Sequence, residues 1–236
     1  MRYLALATDY DGTIAGEGVV DEPTIDALRR ARDARVRLVL VTGRELNDLF
    51  KTFPQIDLFD RVVAENGAIL YDPASRASQI LAPPPPPELV EVLSAQHIPL
   101  SVGRSIVATV EPYEHVVLSA IRDLGLEWHV IFNKGSVMAL PSGVTKATGL
   151  APALEQLQVP AARTVGVGDA ENDHVFMRLC GLAVAVANAL PAVKNDADLV
   201  TAGARGAGVR ELIDRLLTDD LADVVPHADL ASREGR

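Results

Sequence analysis

Short apolar runs alternate with helical patterns along most of this chain, and that alternation restricts its fold more than any other feature. Residues 3–7 (YLALA), 37–41 (RLVLV), 163–167 (RTVGV) and 182–186 (LAVAV) are strand-length runs, and the first three end at an acidic or glycine-containing break. Helical spacing fills the intervals. Asp21, Glu22 and Pro23 read as a helix start with proline in the first turn, and Ile25 and Leu28 form an apolar stripe. Leu46, Leu49, Phe50 and Phe53 follow i, i+3, i+4, i+7 spacing. A helix over residues 145–158 places Leu150, Leu154 and Leu157 on one face, with Pro152 as a possible kink. Residues 198–200 suit a short last strand, and a helix over 209–217 closes the series. Alternating strands and helices predict an α/β fold, a doubly wound parallel sheet with helices on both faces. Ligands of such sheets bind at the carboxyl ends of the strands.

The middle of the chain breaks this rhythm. Residues 61–64 and 68–71 read as strands flanking Glu65-Asn66-Gly67, a turn signal. Five consecutive prolines, residues 83–87, then form a stiff, extended linker without backbone donors. Beyond it come a helix over 88–96, a β-branched run at 106–110, and a helix over 112–124 burying Val116, Val117, Ala120, Ile121 and Leu124. Strands near 126–132 and 136–140 follow, joined by the turn Asn133-Lys134-Gly135. The expected organisation is a framework of residues 1–82 and 141–236, interrupted by a small α+β module at 83–140. The tail from Thr218 is acidic and weakly patterned, and partial disorder is expected there.

Composition narrows the partners. The formal charge of −10 argues against nucleic acid, whose affinity for proteins comes mainly from Lys and Arg neutralising phosphates. It does not exclude a small anionic substrate, because a bound divalent ion can dominate its local field. Cys180 is the single cysteine, so no internal disulfide forms, which fits a reducing compartment. The first apolar run is too short for a signal peptide, and no run of about 18 apolar residues predicts a membrane span. A cytoplasmic location is expected.

Four features fall at predicted strand ends or helix starts. Asp9-Tyr10-Asp11-Gly12-Thr13 directly follows the first run. Two carboxylates two residues apart can share one site, where they need a cation or a proton between them. One can attack phosphorus while the other handles the leaving-group proton. A solvated polar loop is the plain alternative. Thr42 ends the second run, and its hydroxyl can donate to a phosphate oxygen. By itself it reads better as a helix cap ahead of Glu45. Lys146, in a first helical turn, can contact a carboxylate and a transferred phosphoryl group. By itself it reads as a surface lysine. Gly168-Asp169-Ala170-Glu171-Asn172-Asp173 follows the third run. Its acids are hard oxygen ligands suited to Mg²⁺, and equally an acidic first turn favoured by a helix dipole.

Together, in this order, the four resemble the motifs of the haloacid dehalogenase superfamily of phosphohydrolases. The insertion between the second and third resembles the Cof-type branch with its α/β cap. The overall length is similar to that of archaeal-type phosphoglycolate phosphatases and of the sucrose-phosphate-phosphatase-like group. The resemblance implies a phosphoaspartyl mechanism on a small phosphorylated metabolite, a sugar phosphate or something like phosphoglycolate. Asp9 would be the nucleophile and Asp11 the acid and base. Mg²⁺ would be held by the Asp9 carboxylate, the Asp11 carbonyl and Asp169, with Asp173 near or behind it. Thr42 and Lys146 would hold phosphoryl oxygens, Asn172 would help orient them, and Asn66 would lie near the site. Arg44 is a candidate substrate contact, weighed against a helix-surface arginine. Arg104 and His115 in the insertion read better as solvated residues, and Cys180 as core. The other readings are a sugar phosphomutase, a phosphoaccepting receiver domain and a silent binding protein. The length and the second acid, Asp11, oppose the receiver.

Overall fold

The structure is a computed structural model and describes residues 1–226. Strand β1 (Ala5–Thr8), helix α1 (Glu22–Asp33), β2 (Arg37–Val41), α2 (Leu46–Thr52), β3 (Arg61–Ala64), β4 (Ile69–Asp72) and β5 (Ala77–Ile80) come first. Helix α3 (Pro87–Ser94), β6 (Ser101–Val102), β7 (Val107–Val110), α4 (Glu114–Asp123), β8 (Trp128–Asn133) and β9 (Ser136–Pro141) follow. The chain then forms α5 (Lys146–Gln156), β10 (Thr164–Gly168), α6 (His174–Leu179), β11 (Leu182–Ala185), α7 (Pro191–Asp196), β12 (Leu199–Val200) and α8 (Gly206–Asp219).

The apolar runs become one eight-stranded sheet, ordered β12-β11-β10-β1-β2-β3-β4-β5. From β12 to β3 every pairing is parallel. The β3–β4 and β4–β5 pairings are antiparallel, so the sheet is mixed at one edge. All residues of β1, β10 and β11 are buried. Successive side chains point to opposite faces, so both faces of the central strands are covered. Helix α1 packs with α8, and α5 packs with α6. Asp21 starts α1 as predicted, its side chain accepting from Thr24 N. Thr145 caps α5 in a reciprocal arrangement with Thr148, and the helix accommodates Pro152.

The second sheet is four-stranded and antiparallel, ordered β6-β7-β9-β8. Its strand β9 has two allegiances. Val137 and Ala139 join a small core with Leu89 and Leu93 of α3 and Val117, Ala120 and Ile121 of α4. Met138 and Leu140, on the alternate positions, join the main core. One face of this sheet therefore carries its own helices, and the other lies over the framework.

Some elements differ from expectation. β5, β6 and α7 are additions, because an exposed four-residue edge, a two-residue strand and a six-residue helix carry little periodicity. The tail does not stop packing at Thr218: α8 runs to Asp219, and Leu221 and Val224 are buried in the main core. The remainder of the expected disordered tail, 227–236, lies outside the described residues. No helix among the described residues is long and apolar enough to cross a membrane.

Candidate active site

Strands β10, β1 and β2 are neighbours, with Thr8 in register with both Val167 and Leu40. Each ends toward the same edge, which brings Asp169, Asp9 and Thr42 side by side. The Asp9 amide donates to Val167 O at 3.0 Å, and the Thr42 amide to Val63 O at 2.8 Å, so the backbone fixes both. Helix α5 brings Lys146 to the same place through an unusual turn. Glu65, Asn66 and Gly67 all have positive φ, and a side chain at Gly67 would collide with the Thr145 carbonyl. Glycine there lets the start of α5 lie against the turn.

Lys146 Nζ donates to Asp9 Oδ1 and to Asp173 Oδ1, each at 2.6 Å, and is 1% exposed. The lysine that reads as a surface residue in isolation is thus the central buried cation. Burial opposes its charge, but Asp173 and Asp9 outweigh that and hold the ammonium above the usual lysine range. Asp9 is also raised, up to about 7, through burial and then the neighbouring Asp173, against the pull of Lys146. The two directions agree once the charges are inventoried: several carboxylates share too few cations. Burial also raises Asp169, opposed by Lys134.

Asp173 has little free capacity. Its Oδ2 accepts from the amides of Asp169 and Ala170 at 2.8 and 2.9 Å, while Oδ1 takes Lys146. It braces the loop after β10. The carboxylates of Asp9, Asp169 and Asp173 nevertheless each offer an oxygen within 4.8 Å of the others.

Asp11 is held by Arg44. Arg44 Nε donates to Oδ2 at 2.7 Å and Nη2 to Oδ1 at 2.8 Å, a bidentate pair. Arg44 Nη1 also reaches Asp48 Oδ2 at 2.6 Å, and the guanidinium lies over the Tyr10 ring. Thr42 Oγ accepts from the Arg44 amide at 3.1 Å, and the hydroxyl is buried. Asn66 and Asn172 meet, Nδ2 of Asn172 donating to Oδ1 of Asn66 at 3.0 Å. Asn172 Oδ1 is left buried without a protein partner.

The oxygens that could receive a divalent ion here are all hard donors: the Asp9 and Asp169 carboxylates and the Asp11 carbonyl. A cation already sits among them. Lys134 Nζ, from the β8–β9 turn, donates to Asp11 O at 2.8 Å and to Asp169 Oδ2 at 2.7 Å. A cradle that holds an ammonium on two of these oxygens fits the charge and donor type that Mg²⁺ requires.

Four contributors carry no role of their own in the sequence reading, although Thr13 lies in the first motif and Glu65 in the turn near the site. Lys134 read only as part of a turn, and nothing local distinguishes it from a surface lysine. Thr13 Oγ donates to Asp169 Oδ1 at 3.3 Å. Asn188 Nδ2 donates to Gly12 O at 2.8 Å and lies 3.3 Å from Asp169 Oδ2. Asn188 follows β11, so its place beyond a strand end was the available signal. Glu65 is 1% exposed and accepts from the amides of Arg104, Ser105 and Ile106 at 3.0, 2.8 and 3.2 Å. It ties the loop between β6 and β7 to the framework. Arg104 reaches Ser78 and His115 contacts Pro112 O, both exposed. Burial pushes the Cys180 thiol up, and its Sγ donates to Phe176 O.

Asp9 and Asp11 open into a cleft of 640 Å³ between the two sheets, lined also by Arg44, Lys51, Ser101, Lys134 and Met138. A second cleft of 660 Å³ lies near the amino ends of β2 and β3. Its charges are largely matched there, Arg37 with Asp60 at 2.8 Å and Arg61 with Asp72 at 3.3 Å.

The geometry agrees with the comparisons to known proteins. Residues 6–102 and 127–213 match the haloacid dehalogenase-like hydrolase family. A phosphoglycolate phosphatase of Methanothermobacter thermautotrophicus is 30% identical, covering 90% of this chain and 98% of its own. Phosphoglycolate phosphatase 2 of Saccharolobus solfataricus is 28% identical, covering 94% and 96%. A haloacid dehalogenase-like hydrolase from Bacteroides thetaiotaomicron has a similar structure, with TM-score 0.78 and 19% identity over 91% of this chain and 99% of that one. One from B. subtilis gives 0.71 and 18% over 90% and 99%. With its motifs at the ends of adjacent strands and these matches spanning both sheets, the chain belongs to the haloacid dehalogenase-like hydrolases.

Proposed function

We propose that this protein is a Mg²⁺-dependent phosphomonoester hydrolase that works through a phosphoaspartyl intermediate on Asp9. The observation that carries this reading is the buried contact of Lys146 with Asp9 at the carboxyl edge of the sheet. It orients a carboxylate and sets a positive charge where a phosphoryl group would arrive.

With Oδ1 held by Lys146, Oδ2 of Asp9 attacks phosphorus, and the bond from phosphorus to the substrate oxygen breaks. Asp11 in its acid form gives a proton to the leaving alkoxide. Asp11 as carboxylate then takes a proton from water, whose oxygen attacks the phosphoaspartate and releases inorganic phosphate. Arg44 occupies both oxygens of Asp11, so it has to let go of one for Asp11 to present a proton in the first half, and can rest on Asp48. Lys146, Thr42 and the amide side of Asn172 hold phosphoryl oxygens, with Asn66 setting the Asn172 orientation. Asp9, Asp169 and the Asp11 carbonyl, with Asp173 behind them, would hold Mg²⁺, which would supply neutralising charge at the transferred group.

Residues 83–140 act as a cap that closes the cleft above Asp9, with residues 1–82 and 141–236 as the catalytic framework. The substrate is a small phosphorylated metabolite. Phosphoglycolate is the first candidate, on the names of the relatives and on the lysines Lys51 and Lys134 lining the cleft. The test is phosphate release by purified protein with Mg²⁺ from a panel including phosphoglycolate and common sugar phosphates. Release from at least one, abolished by chelator and by Asp9→Asn, is expected. No release from any, or undiminished release by Asp9→Asn, refutes the reading.

A further inference from the structure

Lys134 belongs to the second sheet, yet its charge is spent on the first. It sits at the β8–β9 turn with φ of 49°, followed by Gly135 with φ of 81°. Its side chain is 47% exposed, while that of Asp169, its partner, is 2% exposed. Its ammonium donates to Asp11 O at 2.8 Å and Asp169 Oδ2 at 2.7 Å. Room for it comes from Gly12, with φ of 85°: a Cβ there would overlap both Lys134 Nζ and the Asp169 carboxylate. Asn188 Nδ2 reaches Gly12 O and the same Asp169 Oδ2.

We propose that Lys134 is a tethered counter-cation, competing with the divalent metal for the oxygens of Asp11 and Asp169. This rests on the metal placement argued above. Two cations cannot occupy the same pair of oxygens, and like charges at that separation repel. Metal entry therefore expels the ammonium and releases the tip of the β8–β9 hairpin from the framework. By linkage, a docked tip weakens metal binding by the same factor that metal weakens docking. The hairpin body stays paired, since Asn133 and Ser136 remain in register below the turn. Expulsion leaves an unpaired lysine on the lining of the substrate cleft, so metal loading and cap charge change together.

The experiment titrates Mg²⁺ into wild type and Lys134→Met without substrate, by calorimetry, and follows amide exchange at residues 134–136 with and without Mg²⁺. Lys134→Met is expected to bind Mg²⁺ about tenfold more tightly, within the range typical of coupled sites. Wild-type tip amides are expected to exchange faster once Mg²⁺ is present, and those of the variant to be fast in both states. Lys134→Gln repeats the titration should the methionine variant fold poorly, and the wild-type exchange measurement needs no variant. Equal or weaker Mg²⁺ affinity in the variants, absence of Mg²⁺ binding in all the proteins, or tip exchange that Mg²⁺ leaves unchanged would overturn the proposal. Since no substrate is present, tighter binding by the variants supports it even if no phosphate is released, an outcome that would refute only the phosphatase reading.

Discussion

In the eight-stranded sheet, every residue of β1, β10 and β11 is buried; in β8 of the four-stranded sheet, none is. The framework strands are locked between helix layers, and the residues to which the proposed function gives the chemistry sit at their ends, where backbone hydrogen bonds hold Asp9 and Thr42. The smaller sheet covers one face with α3 and α4 and turns the other toward the cleft. Ser101, Asn133, Lys134 and Ser136 line the cleft outside either core, so under the proposed function these positions suit a part in substrate choice. The proposed function thus places chemistry and substrate choice in regions with different packing.

The largest test of that division is Lys146→Met. It leaves Asp9 and Asp173 buried without their shared cation. A loss of about 3–5 kcal/mol in urea unfolding is expected, as for a buried charge deprived of its partner. Phosphate release is expected to fall about 10²–10³-fold. A variant as stable and active as wild type would mean that the framework does not depend on this contact.

A pH series sharpens the same point. Asp9 is raised from 3.8 to about 7, so between these values the folded, metal-free protein binds more protons than the unfolded chain. Its contribution to stability is present below pH 3.8 and is lost as pH rises through about 7. Asp9→Asn is expected to flatten that part of the stability curve measured in chelator. An unchanged slope would assign the dependence elsewhere.

Trp128, the only tryptophan, packs against the small core, so its fluorescence reports the second unit while far-UV circular dichroism is dominated by the framework. Leu40→Ala empties a fully buried framework position and is expected to lower both transitions together, by about 2–5 kcal/mol. Leu93→Ala, in α3, is expected to lower the fluorescence transition ahead of the dichroism. Coincident transitions in Leu93→Ala would break the comparison and make the molecule one cooperative unit.

The smallest effect is expected at the seam. Glu65→Ala removes the acceptor of three amides in the β6–β7 loop. A loss of about 1–3 kcal/mol is expected, together with a several-fold rise in KM and little change in kcat. An equal fall in kcat would place Glu65 in the chemistry instead.

How much of this could be read from the sequence follows the same division. Runs such as RLVLV and the glycines and acids at their ends show the framework strands and the positions of Asp9, Thr42 and Asp169, because burial on both faces demands apolar continuity. The antiparallel edge was hidden, since β5 is an exposed ASQI whose pairing depends on β4 rather than on its own pattern. Lys146 reads as surface until the positive-φ turn at Glu65–Gly67 is seen against α5. Lys134 and Glu65 act across the two sheets, through contacts separated by 35 and about 40 positions in the chain, which no local pattern encodes.

The most direct test of the central claim is to quench the Mg²⁺-loaded enzyme in acid during turnover of an active substrate and locate the phosphoryl group by peptide mass spectrometry. The prediction is an acid-stable adduct on the peptide containing Asp9, confined to that residue and absent from Asp9→Asn. A phosphoryl group found on another residue, or full turnover by Asp9→Asn, would contradict it.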